Sequence, residues 1–432
     1  MASTYLTRTF GTPTNEYKWT FSAWVKRSGL GAGQIFAPRV DGNNTGVIGF
    51  NSSNALDIYD YRNAFNMRYI TNRLFRDTSA WYHIVVSSDS TLSTPLTNIY
   101  INGVQETSFS TSNAFTQNQA NTFNRANVPH YVGQAGNGSE YFDGSMSHIN
   151  FVDGTAYDAS AFGETDATTG IWKPKTAPSV TYGNNGFFLK FENSGAFGTD
   201  SSGNANTFTV NGTMTQNIDT PSNVFATLNP LSGTGIGSYT NGNNRVVGVA
   251  TNWTTAPSTL AVSSGKYYCE AKAQHTSLMV GILDIDQMVT NNFQGTKSNG
   301  WGYEVTGTLW NNGGATTSWG ATYTTGDIIG IAMDLDNNKL YFSKNGTWQN
   351  SADPSAGTGG ISITADKTYY FAMSPVDSTS SVIETNFGNG YFGTTAVSSA
   401  QNPDDGIGIF EYDVPAGYYA LNTKAINAQE YD

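Results

Sequence analysis

The sequence predicts an all-β protein: two jelly-roll type β-sandwiches joined by a connector rich in Gly, Ser and Asn. Turn dipeptides, period-two hydrophobic runs and composition predict it. Asn-Gly occurs nine times and Asp-Gly four times, and both pairs accept the positive φ angles of tight hairpin turns. The runs between them alternate apolar and polar residues, as strands with one buried face do. Gly is 47 of 432 residues, yet 13% of the chain is aromatic, far more than a disordered Gly-rich chain carries. No heptad repeat and no convincing helix longer than a turn or two interrupts this pattern.

The elements group into blocks. Residues 1–192 form the first, in which Trp81 to Ser87 (WYHIVVS) and Asn98 to Val104 (NIYINGV) read as two strands. Residues 193–230 are rich in Ser, Gly, Asn and Thr and form a connector that can also complete the first sandwich. Residues 231–395 form the second block. There Ile331, Met333 and Leu335 alternate with Ala332 and Asp334, Asp336-Asn337-Asn338 makes a turn, and Leu340 and Phe342 resume the alternation. Asn345-Gly346 closes the next hairpin, and residues 396–432 are a C-terminal tail. Each block is large enough to bury its own core.

Charge and cysteine content exclude several functions. The chain has 21 Lys+Arg against 33 Asp+Glu, a net charge of −12, so it lacks the cationic surface that nucleic acid requires. One cysteine, Cys269, excludes an internal disulfide framework and a thiolate-rich zinc site. The opening residues Met1 to Arg8 contain no apolar stretch of the secretory type. No run approaches the ~18 apolar residues of a membrane helix.

The catalytic inventory is thin. None of His83, His130, His148 and His275 lies in a His-Glu-x-x-His zinc motif. No serine has glycines two positions away on both sides, as a nucleophile elbow needs. Asp334-Leu335-Asp336-Asn337-Asn338 opens like a calcium loop, but Lys339 and Asn345 stand where that loop needs Gly and Glu. Asp284 and Asp286 are the nearest approach to a one-faced carboxylate pair, and no third acid follows. The expectation is a protein without catalytic residues, not an enzyme, with no cofactor and no assigned metal ligand.

Aromatic residues are the better lead. Trp301, Tyr303 and Trp310, beside Asn311 and Asn312, lie in a segment dense with Gly, Asn and Thr. Flat rings next to amide groups suit sugars, so these five residues are the expected binding site.

Two resemblances follow from longer stretches. FSAWVKRSGLGAGQIFA (21–37), WYHIVV (81–86), NIYINGVQ (98–105) and YFDGSMSHINFVDGTAYD (141–158) resemble a laminin-G or concanavalin-like jelly roll. SSGKYYCEAKA (263–273), GDIIGIAMDLDNNKLYFSKNGTW (326–348) and ETNFGN (384–389) resemble a SPRY domain. The tandem order, with WKPK (172–175), FATLNPLSG (225–233) and FEYDVPAGYYALNTK (410–424), is similar to virion-associated proteins of marine bacteriophages.

These resemblances imply a non-enzymatic virion surface protein, a tail fibre or tail-tip component assembled in the cytoplasm of the infected bacterium. Its implied partners are other virion proteins and a host surface glycan or receptor. Nucleic acid and membrane insertion are not expected, and a homo-oligomer is. Two alternatives stand beside this: a capsid decoration or head-fibre protein, and a polysaccharide-cleaving enzyme on a laminarinase-like sandwich. Laminin-G-like relatives also allow a structural calcium ion on the first sandwich, with no ligands assigned.

Overall fold

The computed structural model describes residues 4–232, 236–249, 252–376 and 381–430; of the motifs above, Met1 to Ser3 and Gly233 lie outside them. The chain divides into two compact units, Met1–Gln216 and Asn217–Asp432. Both are β-sandwiches, as the turn and alternation signals predict.

In the first unit, an eight-stranded sheet runs Phe109–Asn113, Phe65–Leu74, Ala55–Arg62, Asn44–Phe50, Gly33–Asp41, Pro129–Val132, Tyr5–Thr9, Thr209–Asn211. A six-stranded sheet runs Phe187–Leu189, Gly144–Asp153, Lys18–Arg27, Trp81–Asp89, Leu96–Ile101, Val104–Gln105. Phe36, Ile48, Ile58 and Met67 from the larger sheet meet Phe21, Ile84, Val86 and Phe151 from the smaller in one buried core. Phe21 stacks on Phe36 with ring centres 4.9 Å apart. Burying each such side chain contributes roughly 1.5–3 kcal/mol.

The outer faces of the two sheets differ, and the difference positions the site. Lys18–Arg27 is buried on both faces, because the chain from 155 to 182 lies across the outside of the smaller sheet. Tyr157, Ala159, Phe162, Trp172 and Tyr182 pack there against Val85 and Val152. Thr20 ties the cover down: its Oγ1 donates to the Thr155 carbonyl and accepts from the Tyr157 N–H, each at 2.8 Å. Over Asn44–Phe50, Ala55–Arg62 and Phe65–Leu74, the outer face of the larger sheet remains open as a cleft.

The second unit pairs a nine-stranded sheet, centred on Val382–Asn386, Lys266–Ala273, Ile328–Asp334 and Lys339–Lys344, with a six-stranded sheet containing Tyr369–Pro375, Leu278–Asp284 and Gly300–Glu304. The hairpin read from 328 to 344 is present, turning at Asn338 with φ 55°. Asp334 accepts from the N–H and the side-chain amide of Asn337. Lys266 also pairs with it at 3.2 Å, so this carboxylate serves the turn and its sheet.

Three Asn-Gly pairs make the expected two-residue hairpin turns. Asn102-Gly103, Asn312-Gly313 and Asn345-Gly346 all have positive φ at both positions.

The connector is divided between the units, and the tail belongs to the second. Residues 193–216 lie in the first, where Thr209–Asn211 pairs with Tyr5–Thr9. Residues 217–230 lie in the second, whose buried cores take up Phe225 and Leu228. Within the segment 396–432, Tyr419–Ala420 adds a parallel pairing to Lys266–Ala273. Phe410 and Tyr418 bury themselves against Tyr268 and Tyr341. Apolar side chains on the outer face of the nine-stranded sheet need such a cover, just as the outer face of the smaller sheet does in the first unit.

Candidate functional site

The residues expected to bind a ligand are in the second unit, and two of them are buried. Trp301 is 6% exposed and Tyr303 0%; both belong to the core between the sheets. In Gly300–Glu304 (GWGYE) the large residues alternate with glycines. A Cβ on Gly302 would meet the Met279 side chain, so the rings take the inward face. Trp301 and Tyr303, expected as binding residues, are thus placed in the core between the sheets.

The other three sit on a hairpin. Trp310 is half-buried, its indole N–H donating to Glu304 Oε2 at 2.9 Å. Its ring lies edge-on to Phe293 at 5.2 Å, and Phe293 packs on Trp253 at 4.9 Å. Asn311 spends its side-chain N–H groups on the Ser298 and Gly300 carbonyls. Asn312 is the first residue of the turn, with φ 53°.

The concave site is in the first unit. A cleft of about 450 Å³ opens on the outer face of the eight-stranded sheet, within the size range of small-molecule and sugar sites. Strand register arranges its floor in rows. Gln34, Gly49 and Asp57 lie side by side, then Val47, Tyr59 and Arg68, then Arg39, Thr45, Tyr61 and Phe65. Because strand side chains alternate, Asp57, Tyr59 and Tyr61 all project from one face of Ala55–Arg62. Leu56 and Ile58 point into the core.

Charge is unevenly distributed across this floor. Arg68 binds Asp57 through two nitrogens, at 2.8 and 3.3 Å, and lies over the Phe65 ring at 4.4 Å. Gln34 Nε2 donates to Glu140 Oε2 at 2.7 Å. Burial, followed by Asp57 and Glu140, pushes the Tyr59 phenol above its ordinary range, while Arg68 and Arg39 pull the other way. The phenol therefore stays protonated at neutral pH and can both donate and accept a hydrogen bond. Stacking rings, hydroxyls and charged donors in one open groove can hold a sugar chain by its faces and its hydroxyls.

None of the residues expected to bind lies in this cleft. The available signal was the Asp57-x-Tyr59-x-Tyr61 alternation, which puts an acid and two aromatics on one face of a strand.

Among the described residues, no group of three or more His, Cys, Asp or Glu side chains could hold a metal ion. Among the described residues, no helix is long and apolar enough to cross a membrane.

Comparison with known proteins matches two families in tandem. Residues 2–160 match the concanavalin A-like lectin/glucanases superfamily, and residues 266–375 match the SPRY domain. The SPRY domain of human HERC1 is 18% identical, covering 37% of this chain and 96% of that chain, with a TM-score of 0.31. Stonustoxin is 15% identical over 37% of this chain and 27% of its own, with a TM-score of 0.29. Domain 4 of AbnA, a GH43 extracellular arabinanase from Geobacillus stearothermophilus in complex with arabinotriose, is 19% identical. That match covers 33% of this chain and 63% of that one, with a TM-score of 0.25. No curated protein matches the chain.

Proposed function

We propose that this chain, with a concanavalin-like domain ahead of a SPRY domain, is a non-enzymatic virion surface protein that binds host glycans through the cleft of its first unit. The tail-fibre or tail-tip placement rests on the sequence resemblance to phage virion proteins. The glycan reading rests on one observation: an open groove where Tyr59, Tyr61 and Phe65 stand among Arg39, Asp57, Arg68 and Glu140. Its partners are then a host surface glycan and neighbouring virion proteins, in a homo-oligomer on the particle surface.

Glycan-array screening of the full chain beside a Tyr59→Ala variant tests the binding. Selective retention of oligosaccharides that the variant loses supports it; no retained glycan overturns it. Electron cryomicroscopy of the parent particle tests the location, and density for this chain confined to capsid faces would replace the tail reading with capsid decoration.

A hydrolase reading draws on Asp57 and Glu140, two carboxylates brought to the same cleft from separate segments. Release of reducing ends from bacterial or algal polysaccharides would establish it. Asp57 already holds a guanidinium through both oxygens, which suits a structural acceptor better than a proton donor.

A further inference from the structure

Of the two guanidinium groups lining the cleft, Arg68 is held in a close ion pair and Arg39 is not. Arg68 is neutralised by Asp57 through two hydrogen bonds. Arg39 lines the same cleft, but among the described residues no carboxylate lies within ion-pairing distance of it. The acid nearest in sequence, Asp41, accepts from the Asn43 N–H at 2.7 Å and from the Asn44 side-chain amide at 3.0 and 3.2 Å, and it attracts Arg39 only through space. Arg39 shares the end of the cleft formed by Thr45, Tyr61 and Phe65. Gly42 also lines the cleft there, and a Cβ on it would stand 3.9 Å from an Arg39 terminal nitrogen.

The carboxylates that line the cleft, Asp57 and Glu140, gather at the other end. Asp57 and Gln34, with Glu140 bonded to Gln34, lie four residues along the strand from Tyr61. That is about 13 Å at ~3.3 Å per residue. An anion entering the cleft is repelled at the Glu140 end and attracted at the Arg39 end. A planar guanidinium presents paired N–H donors matched to the paired oxygens of a carboxylate or sulfate.

We infer that the cleft is specific for an oligosaccharide bearing an anionic substituent, a uronate carboxylate or a sulfate ester, seated on Arg39 with its neutral sugars running toward Gln34 and Glu140. This rests on the glycan-binding reading of the cleft.

Calorimetry of the full chain with three probes tests it: tri-galacturonic acid, the neutral galactose trisaccharide, and that trisaccharide carrying one sulfate. An anionic probe is expected to bind about tenfold more tightly than the neutral one, the effect of one charge-assisted contact. The preference should shrink at high salt. Arg39→Gln should abolish the preference for the anionic probes over the neutral one, and Arg39→Lys should restore part of it. Tyr59→Ala should weaken all three probes. Comparing the carboxylate and sulfate arms identifies the anion. Equal binding of all three probes overturns the anion inference and leaves the glycan reading standing; no binding by any probe overturns both.

Discussion

The indole N–H of Trp172 donates to Nδ1 of His83 at 2.9 Å, under the segment that covers the smaller sheet of the first unit. An indole nitrogen can only donate, so Nδ1 of His83 must be the bare nitrogen and Nε2 must carry the proton. Nε2 then donates to Ser22 Oγ at 2.9 Å. Ser22 and His83 therefore have the spacing of a nucleophile and its base but the wrong proton arrangement, because a base must accept from the serine. Trp24 stacks on the imidazole at 4.7 Å and completes its burial.

His83 should thus be neutral and silent. Burial, helped by His148, pushes its pKa down to about 3. The folded value lies below the unfolded one, so the stability this histidine permits is complete above about pH 6.5. It is lost as pH falls toward about 3, at about 1.4 kcal/mol per pH unit. Two-dimensional NMR of the imidazole resonances should show no titration of His83 between about pH 7 and 5. A midpoint in that range would contradict it.

Trp172→Phe should destabilise the first unit by about 1–3 kcal/mol, because it leaves Nδ1 buried without a donor. Urea denaturation of the full chain measures this, and an unchanged first-unit midpoint would mean that the contact carries no net energy.

Glu270 gives the second unit the opposite pH response. Its carboxylate is buried beneath the C-terminal segment and accepts from the Glu411 and Tyr412 N–H groups, each at 2.9 Å, and from the Asn386 amide at 3.2 Å. Burial outweighs these donors and pushes its pKa up to about 7. The folded state therefore holds this proton more tightly than the unfolded state. The resulting stability is complete below about pH 4.5 and is lost as pH rises through about 7. Glu270→Gln should flatten the second unit's stability over that interval, as read by chemical denaturation at about pH 5 and about pH 7.5. A variant that keeps the wild-type slope would assign the proton elsewhere.

Gly49 is required by the floor of the cleft. A Cβ there would lie 2.0 Å from Gln34 Oε1 and 2.8 Å from the Gly33 carbonyl. The second atom is backbone and cannot swing away. Gly49→Ala should cost about 1–3 kcal/mol of first-unit stability and also displace Gln34 from Glu140. Loss of glycan binding with an unchanged melting temperature would show that the alanine is accommodated and acts only on the site.

Much of the fold was legible in the sequence because turns and strands are local. Asn345-Gly346 and the alternation around Ile331 and Phe342 each sit within a few residues of their partners. The cleft was not legible, because it is assembled across strands. Arg39, Asp57 and Arg68 are ordinary surface residues until register places them in adjacent rows. The GWGYE strand marks the converse limit. Alternation shows that Trp301 and Tyr303 share a face, but the close approach of Met279 to Gly302 decides that the face is inward. The burial of Phe410 and Tyr418 was equally hidden, since they pack on Tyr341 and Tyr268 from 69 or more residues further along the chain.

Phe65 separates a binding role from a structural one. It is 44% exposed at the Arg39 end of the cleft, with the Arg68 guanidinium 4.4 Å above its ring. A ring so exposed adds little to folding, and a surface cation–π contact contributes about 0.5–1 kcal/mol. Phe65→Ala should therefore shift stability by no more than about 1 kcal/mol. If the ring stacks on a sugar, the same change should weaken glycan binding several-fold, because a stacked aromatic contributes about 0.5–1.5 kcal/mol beyond its buried area. Thermal melts and calorimetry on one preparation decide between these roles. Unchanged affinity would remove Phe65 from the site, whereas a large loss of stability would show that the ring supports the strand edge.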